Sequence, residues 1–415
     1  MDQKGSAGHR GARRGEKGAR GPMNLDPIQA QAISTALANP LSIITGGPGT
    51  GKTTVCQELL RQAAVPMDQV ALAAPTGKAA RRLQEQTHYP AKTIHRLLEY
   101  SPFTEGFTRD RNNPLDCHLL VVDESSMVDV ELAAALLEAV APGCRVVLVG
   151  DADQLPSVGP GNVLRDLIGS GTVPTTRLER IYRQGEGSLI CQNAAAVLAG
   201  HLPDFPEEAA DMFWIDCPEA ENIPQVVEEL LRDRLLAAHA IHPSDAQVLS
   251  PQRSTPAGVE ALNAHLQTAI NPPGRLKTEA QGFRQGDRVM HIRNNYKLER
   301  MNGEVGEIRH IIVPGGPVIT VDYGDGFTDY QGADVADLRL CYATTIHKAQ
   351  GSEYPAVIAI VHSSMSYMLS RTLLYTAITR GKRAVYLVGN KVGLRRAVKN
   401  NKTVARNTAL KELLL

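Results

Sequence analysis

Residues 41–60 read LSIITGGPGTGKTTVCQELL, and this run decides the fold around it. Leu41 to Thr45 suits a buried strand, a glycine loop follows, and a helix opens at Lys52. From Gly46 to Thr53 the loop fits G-x-x-x-x-G-K-[ST], with the strand and helix that the pattern requires on either side. Gly46, Gly47, Gly49 and Gly51 let backbone N–H groups turn inward around a polyphosphate, where a side chain would block the approach. The helix start adds partial positive charge. Lys52 is placed to reach the β- and γ-phosphates of a nucleoside triphosphate, and Thr53 to hold Mg²⁺ through its hydroxyl. With Pro48, Thr50 and Thr54 these residues form the nucleotide-binding candidates.

At 415 residues the chain is too long for one ordinary core, so two or three domains are expected. Apolar residues make up 43%, so the chain is globular rather than disordered, and aromatics at 4% argue against a recognition surface built mainly on stacking. Lys plus Arg and Asp plus Glu both number 44, so a nucleic acid must be held by local patches rather than by overall charge. Cys56, Cys117, Cys144, Cys191, Cys217 and Cys341 are scattered without a C-x-x-C pair and read as reduced packing residues. No apolar run can span a bilayer and no secretory signal is visible, so a soluble, cytoplasmic protein without a membrane partner is expected.

Outward from the loop, residues 1–22 are a Gly-rich tail carrying six basic against two acidic residues, without apolar periodicity. It is expected to be disordered, either a tether for nucleic acid or a solvated leader. Folding starts near Asn24, with Asp26 as a cap before Pro27 at the first helical position. Strands at Val70–Ala74, Leu119–Val122 and Arg145–Val149 alternate with helices at Gly77–Gln86 and Val130–Val140, the pattern of a parallel sheet covered on both faces. Two places break the rhythm. Around Glu105-Gly106, Phe103-Thr104 and Phe107-Thr108 read as a small protruding hairpin. Between about Gly282 and Arg339, short strands at Arg288–Arg293, Glu304–Val313, Val318–Tyr323 and Phe327–Gln331 suggest a small antiparallel barrel. It would be inserted in a second α/β unit with strands at Ala246–Ser250, Ala356–Val361 and Ala384–Val388.

Two further strand ends carry chemistry. LLVVDE, Leu119–Glu124, ends in two carboxylates: Asp123 would bind Mg²⁺, and Glu124 would orient and deprotonate an attacking water. VVLVGDADQ, Val146–Gln154, ends in a polar turn, where Gln154 can touch the γ-phosphate while Asp151 and Asp153 read as caps or turn residues.

Eight blocks follow one another along the chain: GGPGTGKTT (46–54), APTGKAARRL (74–83), TIHRLL (93–98), VVDESSM (121–127), VGDADQLPSVGPG (149–161), LERIYRQ (178–184), YATTIHKAQGSE (342–353) and LLYTAITRGKR (373–383). In this order they make the chain resemble superfamily 1 helicases of the 5′–3′, RecD-like branch, from Asn24 to about Arg383. The resemblance implies two RecA-like motor domains, a hairpin on the first and an SH3-like barrel inserted in the second. It implies that Gln29 reads the adenine, that Arg183 and Arg380 reach the γ-phosphate from the second motor domain, that Glu353 contacts the nucleotide sugar, and that the Gly351 backbone nears the phosphate. A planar, always-charged guanidinium suits both arginine positions, although without the resemblance either reads equally well as a surface ion-pair partner. For nucleic acid it implies Pro75, Thr76, Gly77, Lys78 and His95 on the first domain, and Thr345, His347 and Lys348 on the second. Pro75 to Gly77 start a helix, where free N–H groups can meet phosphate. Arg81 and Arg82 read as further contacts or as a solvated face. His291, Arg293, Tyr296 and Lys297 of the barrel could add backbone contacts or stacking. Unlike longer relatives, the sequence shows no folded domain ahead of the motor and no nuclease-type carboxylate cluster.

The expected molecule is thus an α/β protein of two RecA-like parallel-sheet motor domains, residues 23–176 with a hairpin insertion at 101–116 and residues 177–415 with the barrel at about 282–339. It would be a bacterial or phage-like ATP- and Mg²⁺-dependent helicase, active as a monomer on single-stranded and tailed duplex DNA. Rival readings are a translocase or RNA-directed helicase, and an ATP-switched binding module without unwinding.

Overall fold

The computed structural model describes residues 25–415 apart from 102–103, 183–186, 275–277, 296, 314, 402–405 and 407. The expectations for the 1–22 tail, Phe103, Arg183 and Tyr296 lie outside the described residues. Helix α1 (Pro27–Ala38) opens with a capping box: the Asp26 carboxylate accepts from the Gln29 N–H at 2.8 Å, and the Gln29 side-chain oxygen accepts from the Asp26 N–H at 3.2 Å.

Six strands, β1 (Leu41–Gly46), β2 (Val70–Ala74), β3 (Ala91–Thr93), β4 (Leu119–Val122), β5 (Arg145–Gly150) and β6 (Thr175–Leu178), form the first sheet in the order β3-β2-β4-β5-β1-β6. All neighbours are parallel, so each connection crosses a face of the sheet. Helices α2 (Lys52–Ala63), α3 (Gly77–Thr87), α4 (Val130–Glu138) and α5 (Val163–Ser170) lie in those crossings. One core forms around Ile44, Leu59 and Val147, and another around Ile43, Leu120 and Leu164, so apolar side chains cover both faces. This accounts for the near-continuous apolar runs of the sequence.

After β6 the chain passes through α6 (Leu189–Ala199) into a second parallel sheet begun by β7 (Met212–Asp216) and β8 (Ala246–Ser250), with α7 (Val259–Ile270) beyond. It then leaves for five antiparallel strands, β9 (Arg288–His291), β10 (Val305–Ile312), β11 (Val318–Asp322), β12 (Phe327–Gln331) and β13 (Leu338–Leu340). Their order is β12-β11-β10-β9-β13 around a small core of Val289, Ile308, Val321 and Tyr330. The chain returns with β14 (Ala343–Thr345), β15 (Tyr354–Val361), helix α8 (Arg371–Ile378) and β16 (Gly381–Gly389), giving the sheet order β14-β8-β15-β16-β7.

Three findings depart from the sequence reading. The hairpin pairs Tyr100–Ser101 with Gly106–Phe107, so Thr104 belongs to the connection and not to a strand. His291 is fully buried, its Nδ1 3.1 Å from the Tyr330 hydroxyl, and so is no nucleic-acid contact. Residues near the C-terminus pack on the first half. Arg406 donates to the carbonyls of Ser157, Gly159 and Gly161 at 2.6–2.8 Å, Thr408 donates to Asp166 at 2.9 Å, and Leu410 and Leu414 pack against the core around Ile43, Leu120 and Leu164. No helix among the described residues is long and apolar enough to cross a membrane.

Candidate nucleotide cleft and nucleic-acid groove

The strand ends of the first sheet meet the second sheet across a cleft of about 450 Å³. Pro48, Gly49, Gly51, Lys52, Thr53, Thr54, Asp123, Glu124 and Gln154 line it from the first half, Glu353 and Arg380 from the second. Gly49 and Gly51 have φ of 76° and 86°, which only glycine adopts without strain. Gly46 is required for a different reason than inward-turning amides: a Cβ there would sit 2.7 Å from the Leu178 carbonyl. The Lys52 ammonium donates to the carbonyls of Gly46 and Gly47 at 2.6 and 2.9 Å, which holds it over the loop.

Glu124 ends its strand at φ 51°, a left-handed conformation that costs a non-glycine residue about 1 kcal/mol. Removal from water raises the pKa of Asp123 and Glu124, and the two charges oppose each other in Glu124. Lys52 and Arg82 act in the other direction on both, joined at Glu124 by Arg380. Gln154 is buried, with its amide nitrogen held by Asp151 at 3.0 Å and its Oε1 without a partner among the described residues. Asp151 is more than a turn residue, because it also accepts the Tyr375 hydroxyl at 2.9 Å from the second half. Arg380 is buried, its guanidinium fixed by the carbonyls of Thr376 and Ser352 at 3.2 and 3.0 Å.

Four expected residues stand behind this lining. Gln29 donates to the Thr50 carbonyl at 3.3 Å and packs where a Cβ on Gly51 would lie. Thr50 spends its hydroxyl on the Gly47 carbonyl at 2.8 Å, and both residues line a separate cavity between the halves. Gly351 has φ 70°, and a Cβ on it would be 3.9 Å from the Glu124 carboxylate. The sequence reading missed Tyr182 and Arg82, which line the cleft. Tyr182 also bonds Asp26 through its hydroxyl. Their signal lay in the quoted blocks that contain them.

Oxygen donors, a glycine-lined loop and an ammonium fit a nucleoside triphosphate with a hard cation: the Thr53 hydroxyl and Asp123 carboxylate are ligands of the kind Mg²⁺ takes. The unpartnered Gln154 Oε1 supplies an acceptor beside them.

A second cavity, about 660 Å³, is a groove lined by Pro75, Thr76, Gly77, His95, Tyr100, Phe107, Asp129, Glu131, Asn294 and Asn302. Thr76 caps α3 by accepting from the Ala79 N–H, and the Gly77 and Lys78 N–H groups have no partner among the described residues. His95, Tyr100 and Phe107 form a ring cluster with centroids 5.3–5.8 Å apart. Lys78 does not join the groove; its ammonium lies over the Tyr354 ring at 5.2 Å. Arg81 and Arg82 do not form a solvated face either, since both pair with the second half. Thr345, His347 and Lys348 sit outside the groove, at and just after β14, near Arg253 and Arg339. Burial lowers the pKa of His95 and His347, which favours the neutral form of both rings.

Three family models match parts of the chain: an AAA domain at residues 29–160, an ATP-dependent RecD-like DNA helicase SH3 domain at 262–323, and a UvrD-like helicase C-terminal domain at 340–388. The chain is 38% identical over 391 residues to the ATP-dependent RecD2 DNA helicase of Deinococcus radiodurans, covering 94% of itself and 52% of that protein. It thus spans about half the length of that relative. It is 35% identical to the RecBCD enzyme subunit RecD of Mycolicibacterium smegmatis, over 93% of itself and 74% of the relative. The fold matches the crystal structure of a Bacteroides Pif1 helicase with ADP-AlF3 and ssDNA at a TM-score of 0.58 and 19% identity, over 92% and 96% of the two chains.

Proposed function

The chain belongs to the RecD-like family of DNA helicases, and from that membership we propose that it uses ATP to move 5′ to 3′ along single-stranded DNA and part a tailed duplex. The observation that carries this is the cleft itself, where Lys52 and Glu124 of the first half face Arg380 of the second. Lys52 and the loop amides hold the β- and γ-phosphates. Glu124 orients and deprotonates the attacking water, and the open Oε1 of Gln154 suits that water better than a phosphate oxygen, because both it and phosphate accept hydrogen bonds. Thr53 and Asp123 would hold Mg²⁺, which would supply positive charge against the phosphates. Arg380 meets the charge that develops on the γ-phosphoryl group, a role that the family resemblance gives to Arg183 as well. Gln29 supports the loop from behind and sets the adenine site, with Tyr182 next to it.

The strand lies across the groove and onto Thr345, His347 and Lys348. Free N–H groups at Gly77 and Lys78 meet phosphate, and the ring cluster of His95, Tyr100 and Phe107 takes bases. Closure of the two halves on ATP, and reopening after hydrolysis, alternates the grip of each half and ratchets the strand. The hairpin at the groove stands at the fork. Both halves of the ATP site lie on one chain, which therefore acts as a monomer. The test is strand displacement on duplexes with a 5′ or a 3′ single-stranded tail. Unwinding from the 5′ tail alone is expected, and ATP-dependent binding with no displacement from either tail would sink the proposal.

A further inference from the structure

Helix α3 begins in the groove and passes the cleft. Arg81 and Arg82 follow Lys78 by three and four residues on it, so each is a neighbour of Lys78 about one turn away, and all three reach the second half. Lys78 covers Tyr354, Arg81 meets Asp325 of the barrel at 2.5 Å, and Arg82 meets Glu353 at 2.7 Å. Asp325 is in turn held by Arg300 at 3.0 Å, so the helix is tied to the barrel through a shared carboxylate.

The Arg82 contact differs from the other two in where it ends. Its partner lines the cleft together with Lys52, Asp123, Glu124 and Arg380. The Glu353 side chain is only 8% exposed, and Arg82 and Lys382 both approach its Oε2, at 2.7 and 3.3 Å. A carboxylate this far from water depends on its cations, and removal of the nearer one leaves its charge less compensated and its position less fixed. Movement of α3 therefore moves the group that fixes Glu353.

We propose that Arg82 is a positioning residue that couples the two cavities: carried on the helix that starts in the groove, it sets the Glu353 carboxylate in the cleft. This rests on the reading of the cleft as the ATP site and the groove as the strand site. A strand bound at Pro75–Gly77 shifts α3, Arg82 carries the shift to Glu353, and the nucleotide sugar meets a carboxylate whose place depends on the strand. By linkage, nucleotide changes strand affinity by the factor through which the strand changes nucleotide affinity.

The experiment measures the dissociation constant of a fluorescently labelled oligo-dT strand with and without a non-hydrolysable ATP analogue, in the whole chain, for wild type, Arg82→Met and Arg82→Lys. In wild type the ratio of the two constants is expected to be about five or more. Arg82→Met should bring it within about two-fold of unity, and Arg82→Lys should give an intermediate ratio, because a point charge reaches Glu353 without the forked geometry. A wild-type ratio retained in Arg82→Met overturns the proposal. So does equal loss of strand binding in the Met and Lys variants, which marks Arg82 as merely structural. If wild type neither hydrolyses ATP nor binds the strand, the functional reading fails first, and the result is distinct from either of these.

Discussion

The cleft and the groove are served by the same helix yet grip by opposite means. The cleft gathers Lys52, Arg82 and Arg380 around Asp123, Glu124 and Glu353, so charge does its work. The groove has no Lys or Arg among its described lining residues and carries Glu105, Asp129 and Glu131 instead. Its hold on a polyanion must come from backbone N–H groups and ring faces, while net positive charge stands apart at Lys348, Arg253 and Arg339 on the second half. Under the proposed function the contrast is a division of labour: the cleft would recognise phosphate by charge, and the groove the strand by shape and stacking.

The sharpest way to break that division is Lys52→Ala, which is expected to abolish ATP hydrolysis while single-strand binding survives. Loss of both in a fluorescence-anisotropy titration would show one site where two are described. Arg380→Ala is expected to lower kcat about 10³-fold with KM for ATP changed only a few-fold, because its contact strengthens as charge moves in the transition state. Steady-state kinetics reporting equal losses in both would remove it from the reaction. Tyr100→Ala should weaken oligo-dT binding about ten-fold, the scale of one base–ring stack, without altering ATPase measured in the absence of DNA. Lys348→Ala should weaken the strand only a few-fold but reduce the slope of log K against log salt by about 0.7, one phosphate contact; an unchanged slope would place the charge elsewhere. The smallest effect concerns pH. Burial holds His95 and His347 below the usual histidine range, so lowering pH from about 7.5 to about 6.5, where a free imidazole becomes half protonated, should change strand affinity little. A marked rise over that interval would mean that the rings gain their protons as exposed imidazoles do.

Contiguity explains what the sequence made legible. The phosphate loop, the Asp123–Glu124 strand end and the barrel strand Phe327–Gln331 are each short runs whose apolar pattern and turn residues speak for themselves, and the structure places them where that pattern does. His291 was readable too: in β9 it shares a face with Val289, two residues earlier, and Val289 is in the barrel core. The groove was not, because Asn294 and Asn302 meet Asp129 and Glu131 only after the barrel swings against the first half. Arg82 and Glu353 stand 271 residues apart, and no local spacing announces such a pair. Nor does spacing reveal that Lys78, inside a block that resembles a strand-binding one, turns to Tyr354.

The return of the chain near its C-terminus also has a mechanical meaning. The second half is joined to the first where β6 gives way to α6, and again where Arg406, Thr408 and Leu410 settle against α5 and the Ser157–Gly161 loop. A door hung from two hinges swings about the line through both and resists being twisted or lifted from its frame. Closure of the proposed kind would have to keep both attachments, which would limit the paths by which Arg380 could approach the glycine loop.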